Sequence, residues 1–191
     1  MMLSNEDIKK VLESGELVIE PFYPEYLRGA GLTLHLGENL LKPKPGKVVD
    51  VKKKQAPDYE KISISDENPY CLQAGEFVLG HTFQMVSVGP RLGFFIEGRS
   101  TLARVGLTIV QTAMLVYPGH RNRTVTLELA NHGVNPILLY PRMKIARVAL
   151  FFLQTPSTDR YDDHGKYRVQ PLVGGPIFED EILNIPKTGK E

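Results

Sequence analysis

The sequence predicts an all-β fold with one short N-terminal helix, arranged as a sandwich, jelly roll or barrel. Helical periodicity is confined to the opening "LSNEDIKKVLESGEL". Beyond it come short β-rich runs, and Gly, Pro and Asn turn signals separate them at intervals of about 8–12 residues.

In the helix, Ser4 is the expected N-cap, with Asp7 three residues on as its capping-box partner. Ile8, Val11 and Leu12 share one face, and Gly15 ends the helix. The expected strands are "LVIEP", "LTLHLG", "KISIS", "FVLGHTF", "MVSVG", "LGFFIEG", "TVTLELA", "PILLY" and "KIARVALFFL". The segment "KPKPGKVVDVKKKQAPDYEK" is polar and proline-bearing and reads as a surface excursion, its "KKK" run a solvated edge. From "QTPSTDRYDDHGKY" onward periodicity is lost, giving a polar tail over residues 155–191 of a single domain, 1–191. This tail is expected to lie over the domain or a neighbour, or to be mobile.

Net charge is +1, so nothing global marks a nucleic-acid binder, and any anion recognition is local. A lone cysteine, Cys71, excludes an internal disulfide and fits a reducing, cytoplasmic setting. The start "MMLSNEDIKK" lacks the apolar core of a signal peptide, and no apolar run approaches the ~20 residues that span a bilayer. One Cys and five scattered His form neither CxxC nor HExxH, so zinc chemistry is not expected. The GxxxxGK[ST], GxGxxG and GxSxG signatures are also missing.

Two stretches carry chemistry. "EGRSTLARVG", residues 97–106, crowds Arg99, Ser100, Thr101 and Arg104 between glycines, either as a solvated turn or as a site for something anionic. In "RTVTLELANHG", residues 123–133, alternation puts Val125, Leu127 and Leu129 on one face and Thr124, Thr126 and Glu128 on the other. A Glu on the polar face of a strand is ordinarily solvent-exposed, so Glu128 gains meaning only from its neighbourhood.

The ordered run "GRSTLARVGL…TA…PG…TVTLELANHG…PILLYPRMKI" resembles the dCTP deaminase branch of the dCTP deaminase/dUTPase family. The opening "LSNEDIKKVLESGELVIEPF" and the tail "YDDHGKYRVQ" are similar to the family's ends. The resemblance implies a distorted jelly roll of the dUTPase-like type, a homotrimer with sites at subunit interfaces, and a nucleotide triphosphate carried as its Mg²⁺ complex. It implies conversion of dCTP to dUTP and ammonia without zinc, and neither nucleic acid nor membrane as a partner. Glu128 matches the general base, and Ser100 and Arg104 match the residues that place the water and support the tetrahedral centre. Arg99, Ser100 and Thr101 match a phosphate-binding corner. Thr112 and Ala113 match the hairpin whose backbone reads the pyrimidine, while Tyr161, Lys166 and Gln170 match phosphate contacts of a tail that closes over the site.

Several positions depart from the family pattern. Tyr117 stands where an Asp usually binds the sugar 3′-hydroxyl and, in pyrophosphate-cleaving relatives, activates water. A phenol still hydrogen-bonds there but is no base at neutral pH. Leu115, His120, Thr33, His35 and Ala146-Arg147 also differ, and Arg142 replaces a turn Gly, which fits only a turn that needs no positive φ. Two alternatives to deamination alone follow: dUTP pyrophosphatase or bifunctional activity, and a catalytically silent nucleotide-binding protein.

Overall fold

The computed structural model describes residues 1–170, 172–179, 181 and 182, so residues 183–191 of the expected tail lie outside the described residues. Helix α1 (Asn5–Glu13) begins as expected: the Ser4 hydroxyl accepts from the Asp7 amide, the Asp7 carboxylate accepts from the Ser4 amide, and Ile8 and Val11 are buried. Gly15, at φ +74, follows the Ser14 C-cap.

The chain then forms β1 (Leu17–Glu20), β2 (Leu27–Arg28), β3 (Gly31–His35), β4 (Asn39–Pro43), β5 (Tyr59–Ser63), β6 (Tyr70–Leu72), β7 (Phe77–His81), β8 (Met85–Val88) and β9 (Leu92–Gly98). A single turn, α2 (Ser100–Ala103), leads to β10 (Leu107–Thr108), β11 (Leu115–Val116), β12 (Thr126–Asn131), β13 (Ile137–Leu139), β14 (Lys144–Phe152) and α3 (Tyr161–His164). Every expected strand is present within a few residues. The expected surface excursion is the long β4–β5 hairpin: its ends, Lys42-Pro43 and Tyr59–Lys61, are paired strand, and only the intervening loop is surface chain.

One five-stranded sheet has the order β10-β12-β7-β4-β5 and the other β11-β9-β14-β3-β2. Leu127 and Leu129 of the first share one core cluster with Leu34, Ile96 and Val148 of the second. Alternation therefore acts as expected: the apolar side of β12 is buried and Thr126 and Glu128 point the other way, half-buried.

Arg142 departs from expectation. It takes φ +62 in the turn between β13 and β14, where its amide donates to the Leu36 carbonyl at 2.7 Å. The turn needs the left-handed region, and an Arg occupies it against the steric preference that normally favours glycine there.

Candidate active site

Glu128 lies in β12 opposite Leu79 of β7, and its own amide donates to the Ile109 carbonyl at 2.8 Å. Pairing on both sides of β12 fixes where its carboxylate emerges. The chain leaving Ile109 turns back over the acid, and the Gln111 amide donates to Glu128 Oε2 at 2.7 Å. The Gln111 side chain also spans Thr108 Oγ1 and the Glu128 carbonyl, at 3.2 and 3.4 Å.

Around the acid is a cleft of about 480 Å³, a size that suits a small ligand. Glu128, Thr112, Ala113, Tyr117, Tyr161 and Gln170 of the sequence-derived set all line it. Phe77, Leu79 and Val125 supply apolar wall, and Tyr59, Tyr167 and the 174–176 segment complete the rim. Burial pushes the hydroxyls of Tyr59 and Tyr161 above the ordinary tyrosine range and the imidazole of His120 below the ordinary histidine range. His120 is therefore neutral near pH 7, and its ring lies 5.7 Å from that of Tyr161.

Five residues of the same set are not among those lining the cleft: Arg99, Ser100, Thr101, Arg104 and Lys166. Arg99 follows β9 as the N-cap of α2, and its guanidinium donates to Thr33 Oγ1 at 3.1 Å. Ser100, Thr101 and Arg104 stand exposed on and after α2. Gly106 seats that turn: it has φ +90, and a Cβ there would come within 2.2 Å of the Gly133 amide nitrogen. Lys166 pairs with Glu181. One chain thus presents an acid in a cleft and, on another part of its surface, a patch of hydroxyls and guanidiniums.

Sequence reasoning missed the Gln111 amide and Arg123. A main-chain donor leaves no trace in residue identity. Arg123, one of two arginines shortly before β12, has its partner, Asp162, 39 residues away, at 2.5 Å.

The tail covers one side of the cleft. Gln170 Nε2 donates to Thr126 Oγ1 at 3.0 Å, Thr124 Oγ1 donates to the Leu172 carbonyl at 2.8 Å, and the Tyr161 amide donates to the Pro118 carbonyl at 3.0 Å. Among the described residues no helix is long and apolar enough to cross a membrane.

A family model described as dCTP deaminase-like matches residues 2–153. A protein of Dictyoglomus thermophilum named "dCTP deaminase, dUMP-forming" is 36% identical over 166 residues, covering 84% of this chain and 85% of its own length. One of Nanoarchaeum equitans with the same name is 31% identical over 199 residues, covering 95% of this chain and all of its own. Among solved structures, the 2′-deoxycytidine 5′-triphosphate deaminase of Agrobacterium tumefaciens matches at TM-score 0.59 and 15% identity over 78% of this chain. The chain spans about half the length of that protein, 47%, and the likeness concerns the fold, which is mostly β with a short N-terminal helix. With its family motifs in order along most of its length, the chain belongs to the dCTP deaminase-like family.

Proposed function

We propose that the chain hydrolyses the 4-amino group of dCTP, releasing ammonia and a deoxyuridine nucleotide, with Glu128 as the base. The observation that carries this reading is the half-buried Glu128 carboxylate held by the Gln111 amide inside a nucleotide-sized cleft. Deamination needs a group that takes a proton from water and returns it to the ring and then to the leaving amine, and a positioned carboxylate does both. Water adds its oxygen to C4, the tetrahedral centre forms, and the C4–N bond breaks as the amine gains the proton. Thr112 and Ala113 border the acid and offer backbone groups to the pyrimidine edge.

The charge that develops at C4 needs oriented donors, and in this reading Ser100 and Arg104 of a neighbouring copy supply them. Their exposure, away from their own chain's cleft, supports a trimer in which each site takes its acid from one copy and its guanidinium from the next. Arg99 and Thr101 would hold the triphosphate from that same patch, and Tyr161, Lys166 and Gln170 from the tail. No three His, Cys, Asp or Glu among the described residues are grouped as a metal site. In this reading Mg²⁺ would be carried on the phosphate oxygens, where it offsets their charge.

For the nucleotide released, two observations pull apart. Tyr117 offers a phenol and not a carboxylate at the position that activates water in pyrophosphate-cleaving relatives, which favours dUTP. The second reading, dUMP, is favoured by the names of the curated relatives and by apolar Leu115, a residue type found there in dUTPase-like members. Incubation with dCTP, and separately with dUTP, while ammonia and pyrophosphate are followed independently, decides between them. Ammonia alone supports dUTP as product, and ammonia with pyrophosphate supports dUMP. Nucleotide binding without either product identifies a silent homologue and removes the proposed activity.

A further inference from the structure

We infer that the Arg123–Asp162 ion pair is a clasp that holds the tail across the cleft and so sets nucleotide affinity; this rests on the cleft being the nucleotide site. Arg123 Nη1 lies 2.5 Å from Asp162 Oδ1, with side chains only 17% and 26% exposed. The pair is thus largely shielded from water, and the attraction between its charges is correspondingly strong.

Arg123 is the first of three tethers on consecutive stretches of one strand approach. Arg123 grips Asp162, Thr124 grips the Leu172 carbonyl, and Thr126 receives Gln170. Two residues further along the same strand is Glu128. Any motion that lifts the tail must break these contacts as well as the Tyr161–Pro118 bond, and of the four the ion pair alone has formal charge on both partners. The others are neutral hydrogen bonds, each of modest net strength because water replaces them. Between Asp162 and Gln170, Arg168 and Val169 are exposed.

Arg123 lines the same cleft as Glu128 and Gln111, but its guanidinium is turned to Asp162 of the tail. Weakening the clasp lowers the fraction of protein in the closed form and raises the apparent dissociation constant in proportion. Ground state and transition state lose the same contribution, so KM rises while kcat holds. Arg123 and Asp162 act in this account as positioning residues.

The test uses the full-length protein with Asp162→Asn, Arg123→Asp, and the charge-swapped pair Arg123→Asp/Asp162→Arg. Two quantities are read: KM and kcat for dCTP deamination, and the rate of tryptic cleavage after Arg168 in nucleotide-free protein, followed by mass. Each single variant is expected to raise KM about tenfold, the equivalent of roughly 1.4 kcal/mol, with kcat within about twofold. Each is also expected to speed tail cleavage by a similar factor, and the swap to return both readouts most of the way. Unchanged KM and cleavage in Asp162→Asn would overturn the clasp. So would failure of a folded swap variant to rescue, because Arg123 would then be acting on the nucleotide itself. Should Arg123→Asp fail to fold, the nearly isosteric Asp162→Asn alone decides by the same two readouts. Wild-type protein that neither binds nor deaminates dCTP would sink the functional reading, while the cleavage rates would still judge the clasp.

Discussion

The amide of Gln111 donates to Oε2 of Glu128 across 2.7 Å, a bond between residues 17 positions apart in sequence. It fixes one oxygen of a carboxylate whose residue lines the cleft. A base that must take a proton from a single water benefits from this restriction, because misorientation of even one ångström costs rate. The strand holds the acid, the returning loop aims it, and Leu79 and Phe77 keep one side of the cleft apolar.

Because Arg104 is exposed and does not line its own chain's cleft, inactive variants are expected to complement each other across copies of the proposed trimer. Glu128→Gln and Arg104→Ala are each predicted to be inactive alone. When mixed, unfolded together and refolded, random assembly into the proposed trimer would place an intact Glu128 against an intact Arg104 at about one site in four. Ammonia release should recover to roughly a quarter of the wild-type rate. Absence of recovery from well-folded mixed trimers would show that the two residues do not share a site across copies.

Arg142 at φ +62 predicts that Arg142→Gly stabilises the fold. Relief of the left-handed strain is worth about 1–2 kcal/mol, and the freer unfolded chain of the glycine variant takes back part of it. The ion pair lost, to Asp66 at 3.6 Å, is exposed at both ends and contributes little. A net gain of roughly 0.5–1 kcal/mol should appear as a higher urea midpoint with an unchanged m-value; a lower midpoint would mean the Arg142 side chain matters more than its backbone.

Three buried imidazoles, His35, His81 and His120, have pKa values held below the ordinary 6.5, in each case chiefly by burial. Below about pH 6.5 the unfolded chain takes up protons on these groups that the folded chain refuses, so stability falls as pH drops. Each contributes a slope of at most ~1.4 kcal/mol per pH unit in that window. His81 packs its ring against Gly37, and its Nε2 has no hydrogen-bond partner among the described residues. Denaturation midpoints should decline between pH 7 and 5, before the carboxylates titrate, and His120→Gln should flatten the slope. A flat profile over that range would contradict the buried neutral imidazoles.

The long strands were legible because period-2 alternation survives wherever one face is buried, as in β12 and β9. β4 was hidden because Leu40 and Leu41 are followed at once by Lys and Pro, which read as the start of a loop. The two-residue strands β2, β10 and β11 are too short for any period to register. For the site, alternation put Glu128 on the right face, and the family resemblance gave it a role. Sequence offered nothing on the Gln111 amide, nor on the Arg123–Asp162 pair, since pairing over 39 residues has no local pattern.

The most direct test of the account is ammonia release from dCTP by Glu128→Gln, measured beside its affinity for the same nucleotide. The amide keeps the shape of the carboxylate but cannot accept a proton from water at neutral pH. The predicted result is a loss of at least 10²–10⁴-fold in ammonia release with nucleotide affinity changed by less than about threefold. Ammonia release close to the wild-type rate would contradict a catalytic Glu128 and leave the cleft without its base.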